Sequence, residues 1–323
     1  MNKKSKVCAV VVTYNRKDCL KETIKGLKEQ TYPLTSIFIY DNHSSDGTDK
    51  MLQELGFVEY RGEETLHHKN VDNIEWIYYR SSNNSGGSGG FCNGIRLVSE
   101  MNFDYIWTMD DDVYPAECCL EELMRYICDE ARICIPNRTD ERFRDYAVVG
   151  FNMTNPFLYK ATTRKKKVYA ENINGSYITV EDMPFEGPLV ALSLIKEIGL
   201  PKQELFIIYD DTDYAQRAIK KTELRFVKNA ILHKQIIPVK EHSKTMGWKD
   251  YYGYRNQIWY DTTYGKNVFV KILRPILLII ELSIRAVVRR KWSNFKVLFK
   301  AYRDGTQGKL GKLVEPGTLG EDF

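Results

Sequence analysis

Three carboxylates in a row, Asp110-Asp111-Asp112, follow Tyr105-Ile106-Trp107-Thr108-Met109, a run that reads as the end of a buried strand. Adjacent anions at a strand terminus repel one another unless a cation sits among them. A hard divalent ion such as Mg²⁺ or Mn²⁺ takes oxygen ligands and keeps open positions for water and a diphosphate. The plainer alternative is a solvated acidic turn with one Asp capping the next helix. A second acidic group, Asp210-Asp211-Thr212-Asp213, precedes the helical segment Tyr214-Ala215-Gln216-Arg217. The dipole at a helix N-terminus favours an anion, and that accounts for one carboxylate, not three. A carboxylate held ionised beside a substrate hydroxyl can act as general base. His233 closes the apolar run Ala230-Ile231-Leu232 and would be a third metal ligand if it meets Asp110 and Asp112 in space. His242 competes for that place; a strand end is the better platform, which favours His233. His43, His67 and His68 lie in polar stretches and read as surface residues.

These groups need elements to hold them. Residues 7–12 (Val-Cys-Ala-Val-Val-Val) are continuously apolar and β-branched, the pattern of a strand buried on both faces. Residues 18–30 have helical spacing, with Leu20, Ile24 and Leu27 on one face. Ile37-Phe38-Ile39-Tyr40 is a second strand ending in Asp41-Asn42, and a helix through Met51 and Leu52 follows the turn at 44–48. A β-α-β-α opening implies an open α/β sheet, in which ligands bind beyond the carboxyl ends of the strands. Residues 13–16, 41–42 and 110–112 then share one edge.

Residues 74–79 read as a strand. Asn83-Asn84-Ser85-Gly86-Gly87-Ser88-Gly89-Gly90-Phe91 then leads into an expected helix over 93–101. A glycine-rich turn ahead of a helix lets backbone N–H groups approach a phosphate or sugar. A flexible linker is the competing reading; the loop is neither a Walker motif nor a full G-x-G-x-x-G. Residues 115–130 are expected as a helix, 133–136 and 147–151 as strands, and 185–198 as a stretch entering a helix. Arg164-Lys165-Lys166-Lys167 reads as a solvated face. In 251–260, dense in aromatics, Arg255 and Asn256 are left to hydrogen-bond.

The 323 residues carry a formal charge of +4, with 43% hydrophobic and 28% charged, an ordinary soluble composition. The seven cysteines form no C-x-x-C and read as free thiols of a reducing cytoplasm. The first residues lack the pattern of a signal peptide. Residues 268–288 are strongly apolar, yet their longest uninterrupted run, 276–280, falls far short of the ~20 residues a bilayer span needs. Arg285, Arg289, Arg290, Lys291, Lys296, Lys300 and Arg303 interleave with Trp292, Phe295, Leu298 and Phe299. That is a basic amphipathic helix or pair suited to an anionic membrane surface; a helix packed on the body with a basic outer face is the alternative. No nucleic-acid motif accompanies the charge. The tail from Gly305 is expected to be loosely ordered.

Val10-Val11-Val12-Thr13-Tyr14-Asn15-Arg16, then Asp41-Asn42 with Ser44, Asp46, Gly47 and Thr48, then the acid triplet, resemble inverting nucleotide-sugar glycosyltransferases of the GT-A fold, family 2 type, over about residues 6–260. The pairing of residues 84–91 with 109–112 is similar to bacterial galactofuranosyltransferases, which use UDP-galactofuranose. Residues 206–217 and 252–256 are similar to those and to rhamnosyltransferases. The resemblance implies a Rossmann-like, mostly parallel sheet flanked by helices, with a catalytic domain over 1–265; the basic amphipathic stretch read above then makes a C-terminal helical region over 266–323. It implies Thr13, Asn15, Arg16 and Asp41 around the nucleotide, with Asp41 accepting from the base. Asn84, Gly86 and Gly87 would approach the donor, and Asp111 the ribose. Asp110, Asp112 and His233 would hold Mn²⁺ or Mg²⁺, and Asp211 would be the general base. Tyr209, Asp210 and Trp248 would lie toward a glycan or lipid-linked acceptor; Tyr209 stands where galactofuranosyltransferases often carry tryptophan. Rival readings are another donor (dTDP-rhamnose or UDP-glucose), a metal-dependent nucleotidyltransferase, and a non-catalytic sugar-nucleotide or glycan-binding module. The nucleotidyltransferase would show a glycine-rich basic loop where residues 13–16 stand.

Overall fold

The computed structural model describes residues 4–139, 143–236 and 245–323. Val7–Thr13 (β1) is buried along its length, as its apolar, β-branched run requires. Lys17–Lys28 (α1) buries Leu20, Ile24 and Leu27. Ser36–Asp41 (β2) and Thr48–Glu54 (α2) complete the expected β-α-β-α opening. His67–Val71 (β3), in a polar stretch without a strand signature, is antiparallel to Ile74–Arg80 (β4) at the sheet edge. Gly86–Ser99 (α3), Tyr105–Asp110 (β5), Val113–Pro115 (β6) and Cys119–Tyr126 (α4) follow. Next come Ile133–Arg138 (β7) and a separate hairpin of Tyr146–Phe151 (β8) with Lys165–Tyr169 (β9). Tyr177–Val180 (β10), Leu189–Ala191 (β11), Leu192–Ile198 (α5), Asp210–Ala218 (α6) and Leu224–Lys234 (β12) carry the chain to the far side of the sheet. Trp248–Tyr264 (α7), Val268–Val288 (α8) and Asn294–Thr306 (α9) come last.

The sheet runs β10-β12-β7-β11-β5-β1-β2-β4-β3, with β6 paired to β12. β4, β2, β1, β5, β7 and β12 point one way; β3, β6, β10 and β11 oppose them. One apolar layer on Val10, Phe38 and Ile106 packs under α3, and another on Val11, Ile37 and Trp107 packs under α1, α2 and α4.

Five local expectations change. The glycines at 86–90 form the first turns of α3 instead of a loop. A Cβ on Gly90 would sit 2.6 Å from Val12, and one on Gly86 (φ +76°) 2.2 Å from the Phe206 carbonyl. They are small because the helix backbone packs against β1 and the 206–209 turn. Residues 115–118 lie outside α4, and part of the 185–198 stretch is β11 ahead of α5. Arg164 is no solvated residue: its side chain is fully buried, 2.5 Å from Asp261, and Arg274 reaches the same carboxylate. The tail is docked, not loose. Val314 is buried, the Tyr252 hydroxyl donates to its carbonyl, and Gly320 N–H donates to Met246.

Residues 266–323 share their core with the preceding helix. Val297 and Ala301 of α9 pack with Tyr251, Tyr252 and Phe206. All seven cysteines are free.

Candidate functional site

Strand direction puts the carboxyl ends of β1, β2, β5, β7 and β12 on one edge, bringing Thr13, Asp41, Asp110, Arg138 and Lys234 there. β11 runs the other way, so the residues before it, Glu186 and Gly187, arrive at the same edge. A cleft of about 380 Å³ opens at this edge, a size that accommodates a small ligand or cofactor. Its walls include Thr13, Asn15 and Arg16 after β1, Asn84, Gly86 and Gly87 at the start of α3, and Asp110, Asp111 and Trp248. They come from four distant parts of the sequence, each singled out in the sequence analysis. No heavy atom lies within 4 Å of where a Gly87 Cβ would sit, so its backbone stays open. Asn42 holds the α3 start in place, donating to Asn84 Oδ1 (3.1 Å) and the Gly86 carbonyl (2.9 Å). It was not nominated, although its place beside Asp41 at a strand end was the available signal.

The acid triplet is held unevenly. Asp111 accepts from Thr13 Oγ1 (2.8 Å), Tyr14 N–H (3.1 Å) and Arg16 (3.0 Å). Arg16 also reaches Asp112 Oδ2 at 2.9 Å, while Asp112 Oδ1 is buried without a hydrogen-bond partner. Asp110 is pushed well above the usual carboxylate range by burial and by the charges of Glu186, Asp112 and Asp111, against the pull of Lys234. Glu186 in turn accepts from Lys234 (2.7 Å) and Arg138 (2.9 Å), and Arg138 forms a two-pronged pair with Asp145. None of these four was nominated, because Glu186 lies 48 residues from both Arg138 and Lys234 and the three meet only in the fold. A buried, unpartnered carboxylate oxygen beside a carboxyl driven up by its neighbours fits a divalent cation with oxygen ligands.

Asp211 lines a second, smaller cleft with Lys165, Asp182, Arg138 and Asp145. Arg138 and Asp145 thus link the two regions through Glu186. Asp211 stands in the first turn of α6 and accepts from Thr212 N–H at 2.6 Å. Burial, then the Asp210 and Asp182 charges, push its carboxyl up to about 8. Asp210 is raised to about 6, again chiefly by burial. The turn that delivers them is strained: Phe206, Ile208 and Tyr209 all have positive φ (68°, 63° and 77°). Asn256 Nδ2 fastens it, reaching the carbonyls of Leu205 (3.0 Å), Ile207 (2.7 Å) and Ile208 (2.8 Å). Arg255 donates to Leu205 and Gly311 and, through Nε, to Asn256 Oδ1.

The family model described as glycosyl transferase family 2 matches residues 8–174. The chain belongs to this family. It is 22% identical over 214 residues to galactofuranosyltransferase GlfT1 of Mycolicibacterium smegmatis, covering 66% of this chain and 65% of that relative's length. Among solved structures it is similar to the mannosyltransferase PcManGT from Pyrobaculum calidifontis in complex with GDP-Man and Mn²⁺ (TM-score 0.55, 12% identity, 95% of this chain and 89% of that one). It is also similar to GalNAc-T7 with UDP, GalNAc and Mn²⁺ (TM-score 0.57, 12% identity, 85% and 54%). The chain therefore has the GT-A architecture expected from its sequence.

Three of the expected site residues are placed differently from expectation. His233 does not join Asp110 and Asp112; among the described residues no three His, Cys, Asp or Glu side chains gather as a metal site. The reason is strand parity. Lys234 turns inward to Glu186, so its neighbour His233 turns the other way and stacks on Tyr114, ring centres 4.8 Å apart. His242 lies outside the described residues. Asp41 is fully buried, its oxygens taken by Tyr78 OH (2.7 Å) and Ser44 N–H (2.7 Å), and it shapes the loop behind the cleft instead of facing a base. The Tyr209 hydroxyl points into the core toward Arg164, and its ring packs beside Tyr260.

Proposed function

We propose that this glycosyltransferase transfers a sugar from a nucleotide-sugar donor, UDP-galactofuranose favoured, to a hydroxyl of a cell-surface glycan or lipid-linked saccharide, with inversion. Residues 1–265 are the catalytic unit in this reading. The observation that carries it is Asp211: a carboxylate raised toward neutrality, on a helix N-terminus, at a cleft separate from the one walled by Arg16, the α3 glycines and the triplet. Arg16 and the open backbone at Gly87 suit a diphosphate. Asp110 and Asp112 are the residues that would hold a divalent cation. Bound there, it would neutralise the diphosphate and stabilise its departure. The ionised Asp211 takes the proton of the acceptor hydroxyl as that oxygen bonds to the anomeric carbon. The bond from that carbon to the diphosphate oxygen breaks on the opposite face, so one displacement inverts the configuration. The likeness to GlfT1 supports the galactofuranose donor; dTDP-rhamnose and UDP-glucose are the alternatives. A donor-hydrolysis screen over UDP- and dTDP-sugars with Mn²⁺ tests the reading. Turnover of UDP-galactofuranose, lost in Asp211→Asn with UDP binding kept, is the expected result. Donor binding without turnover of any sugar would instead support a non-catalytic binding module.

A further inference from the structure

We propose that α8 and the turn into α9 seat the protein on an anionic lipid surface; this goes beyond the transfer reaction and does not depend on it. α8 buries one face on the body through Val270, Arg274, Leu278, Leu282 and Ala286. Its opposite face is a stripe of exposed apolar side chains at helical spacing: Phe269 (63%), Ile272 (53%), Ile280 (50%), Ile284 (59%) and Val287 (46%). The helix has 21 residues, so the stripe runs about 30 Å. It ends on Val288 (76%), the last residue of α8, and continues past the helix end to Trp292 (64%), with Phe299 (68%) exposed on α9. Such a contiguous patch marks an interaction surface. No helix among the described residues is long and apolar enough to cross a membrane.

Charge identifies the occupant. No acidic residue occurs between Glu281 and Asp304, while Arg285, Arg289, Arg290, Lys291, Lys296, Lys300 and Arg303 all fall in that interval. Arg285 is held by Glu281, and Lys300 and Arg303 by Asp304. Arg289 and Arg290, exposed at the end of the stripe, have no acidic partner among the described residues. An apolar helix face with arginines and a tryptophan at its end matches the boundary between acyl chains and anionic headgroups. A second copy paired in parallel on the stripe would set the same cations against each other.

The test is flotation with vesicles of phosphatidylcholine alone and of phosphatidylcholine with phosphatidylglycerol, at low and high salt. Wild type is expected to float with the anionic vesicles and to be released by salt. Arg289→Glu with Arg290→Glu should weaken that partition roughly tenfold or more. Ile280→Asp with Ile284→Asp should abolish it. Circular dichroism and melting establish that the variants are folded, and donor hydrolysis, read separately, should be unchanged in both. Failure of folded wild type to bind anionic vesicles overturns the proposal and leaves the transfer reaction standing. A dimer in light scattering that Ile280→Asp with Ile284→Asp dissociates overturns it in favour of a second copy.

Discussion

Asn256→Ala separates the positioning of Asp211 from its chemistry. The wild-type side chain reaches three backbone carbonyls of the turn before α6, at 2.7–3.0 Å, and is itself fully buried. Each such bond contributes about 1 kcal/mol net, and a carbonyl left buried and unpaired costs about 1–3 kcal/mol. Against this, the turn holds three non-glycine residues at positive φ, each strained by roughly 1–3 kcal/mol. Relaxation of the freed turn recovers part of that strain. The net loss should therefore be modest, about 2 kcal/mol, or roughly 3–6 °C in Tm. Turnover should suffer more, because relaxing residues 206–209 moves Asp210 and Asp211 directly, and small displacements of a catalytic group are costly. We expect kcat to fall at least about tenfold with little change in donor KM. Asn256→Asp keeps the size and removes the donors, so it should fail in the same way. Melting followed by steady-state kinetics with the donor found in the screen decides the matter. If Asn256→Ala melts like wild type and turns over within about twofold of it, the turn does not depend on this amide and the strain argument is wrong.

Turnover should rise with pH through the window from about 6 to about 8, the values of Asp210 and Asp211, because the base must be ionised; a flat rate over that window would contradict the assignment. The same raised carboxyl should make stability highest below its unfolded-state value and progressively lower as pH climbs to about 8. Asp211→Asn should therefore melt higher than wild type at pH 8, by about 1–3 kcal/mol in stability, and the gap should close in acid. Asp112→Ala should abolish the Mn²⁺-dependent part of UDP affinity measured by titration calorimetry; unchanged affinity would remove Asp112 from the metal site. Asp261→Ala would leave Arg164 and Arg274 buried against each other and should cost about 3–5 kcal/mol in chemical unfolding.

What could be read in advance follows from range. β1, β2 and β5 are apolar runs whose period and length are local properties, and the residues at their ends, Thr13 to Arg16 and Asp110 to Asp112, inherit their place from the strand-end rule. Arg255 and Asn256 were legible as bonding residues for the same reason, being polar positions on an otherwise packed helix. The misplaced residues depend on contacts the chain makes far away. Arg164 looks like the start of a basic run until Asp261 arrives 97 residues later. The α3 glycines look like a loop until Phe206 presses on them. His233 is one residue out of phase, and strand pairing with β6, not composition, sets that phase.

The charges along the edge give the reason to expect a cation beyond the one Arg16 already supplies. Asp110, Asp111, Asp112, Glu186 and Asp145 face Arg16, Arg138 and Lys234. Ionised, the five carboxylates exceed the three cations by two negative charges. Arg16 gives its hydrogen bonds to Asp111 and Asp112 and leaves Asp112 Oδ1 bare, while Asp110 is relieved by Lys234, which Glu186 also holds, and by the shared charge of Arg16. A capped acidic turn would satisfy its oxygens with backbone N–H groups; in the triplet, Asp111 accepts from Tyr14 N–H, while Asp112 Oδ1 has no partner. Even with Asp110 driven toward its neutral form, a diphosphate entering this cleft would meet net negative charge, and repulsion at close range in a partly buried site amounts to several kcal/mol. One divalent ion balances that excess. Donor affinity should therefore depend on added Mg²⁺ or Mn²⁺ even though the protein brings an arginine of its own, and the dependence should reside in Asp110 and Asp112 and not in Asp111.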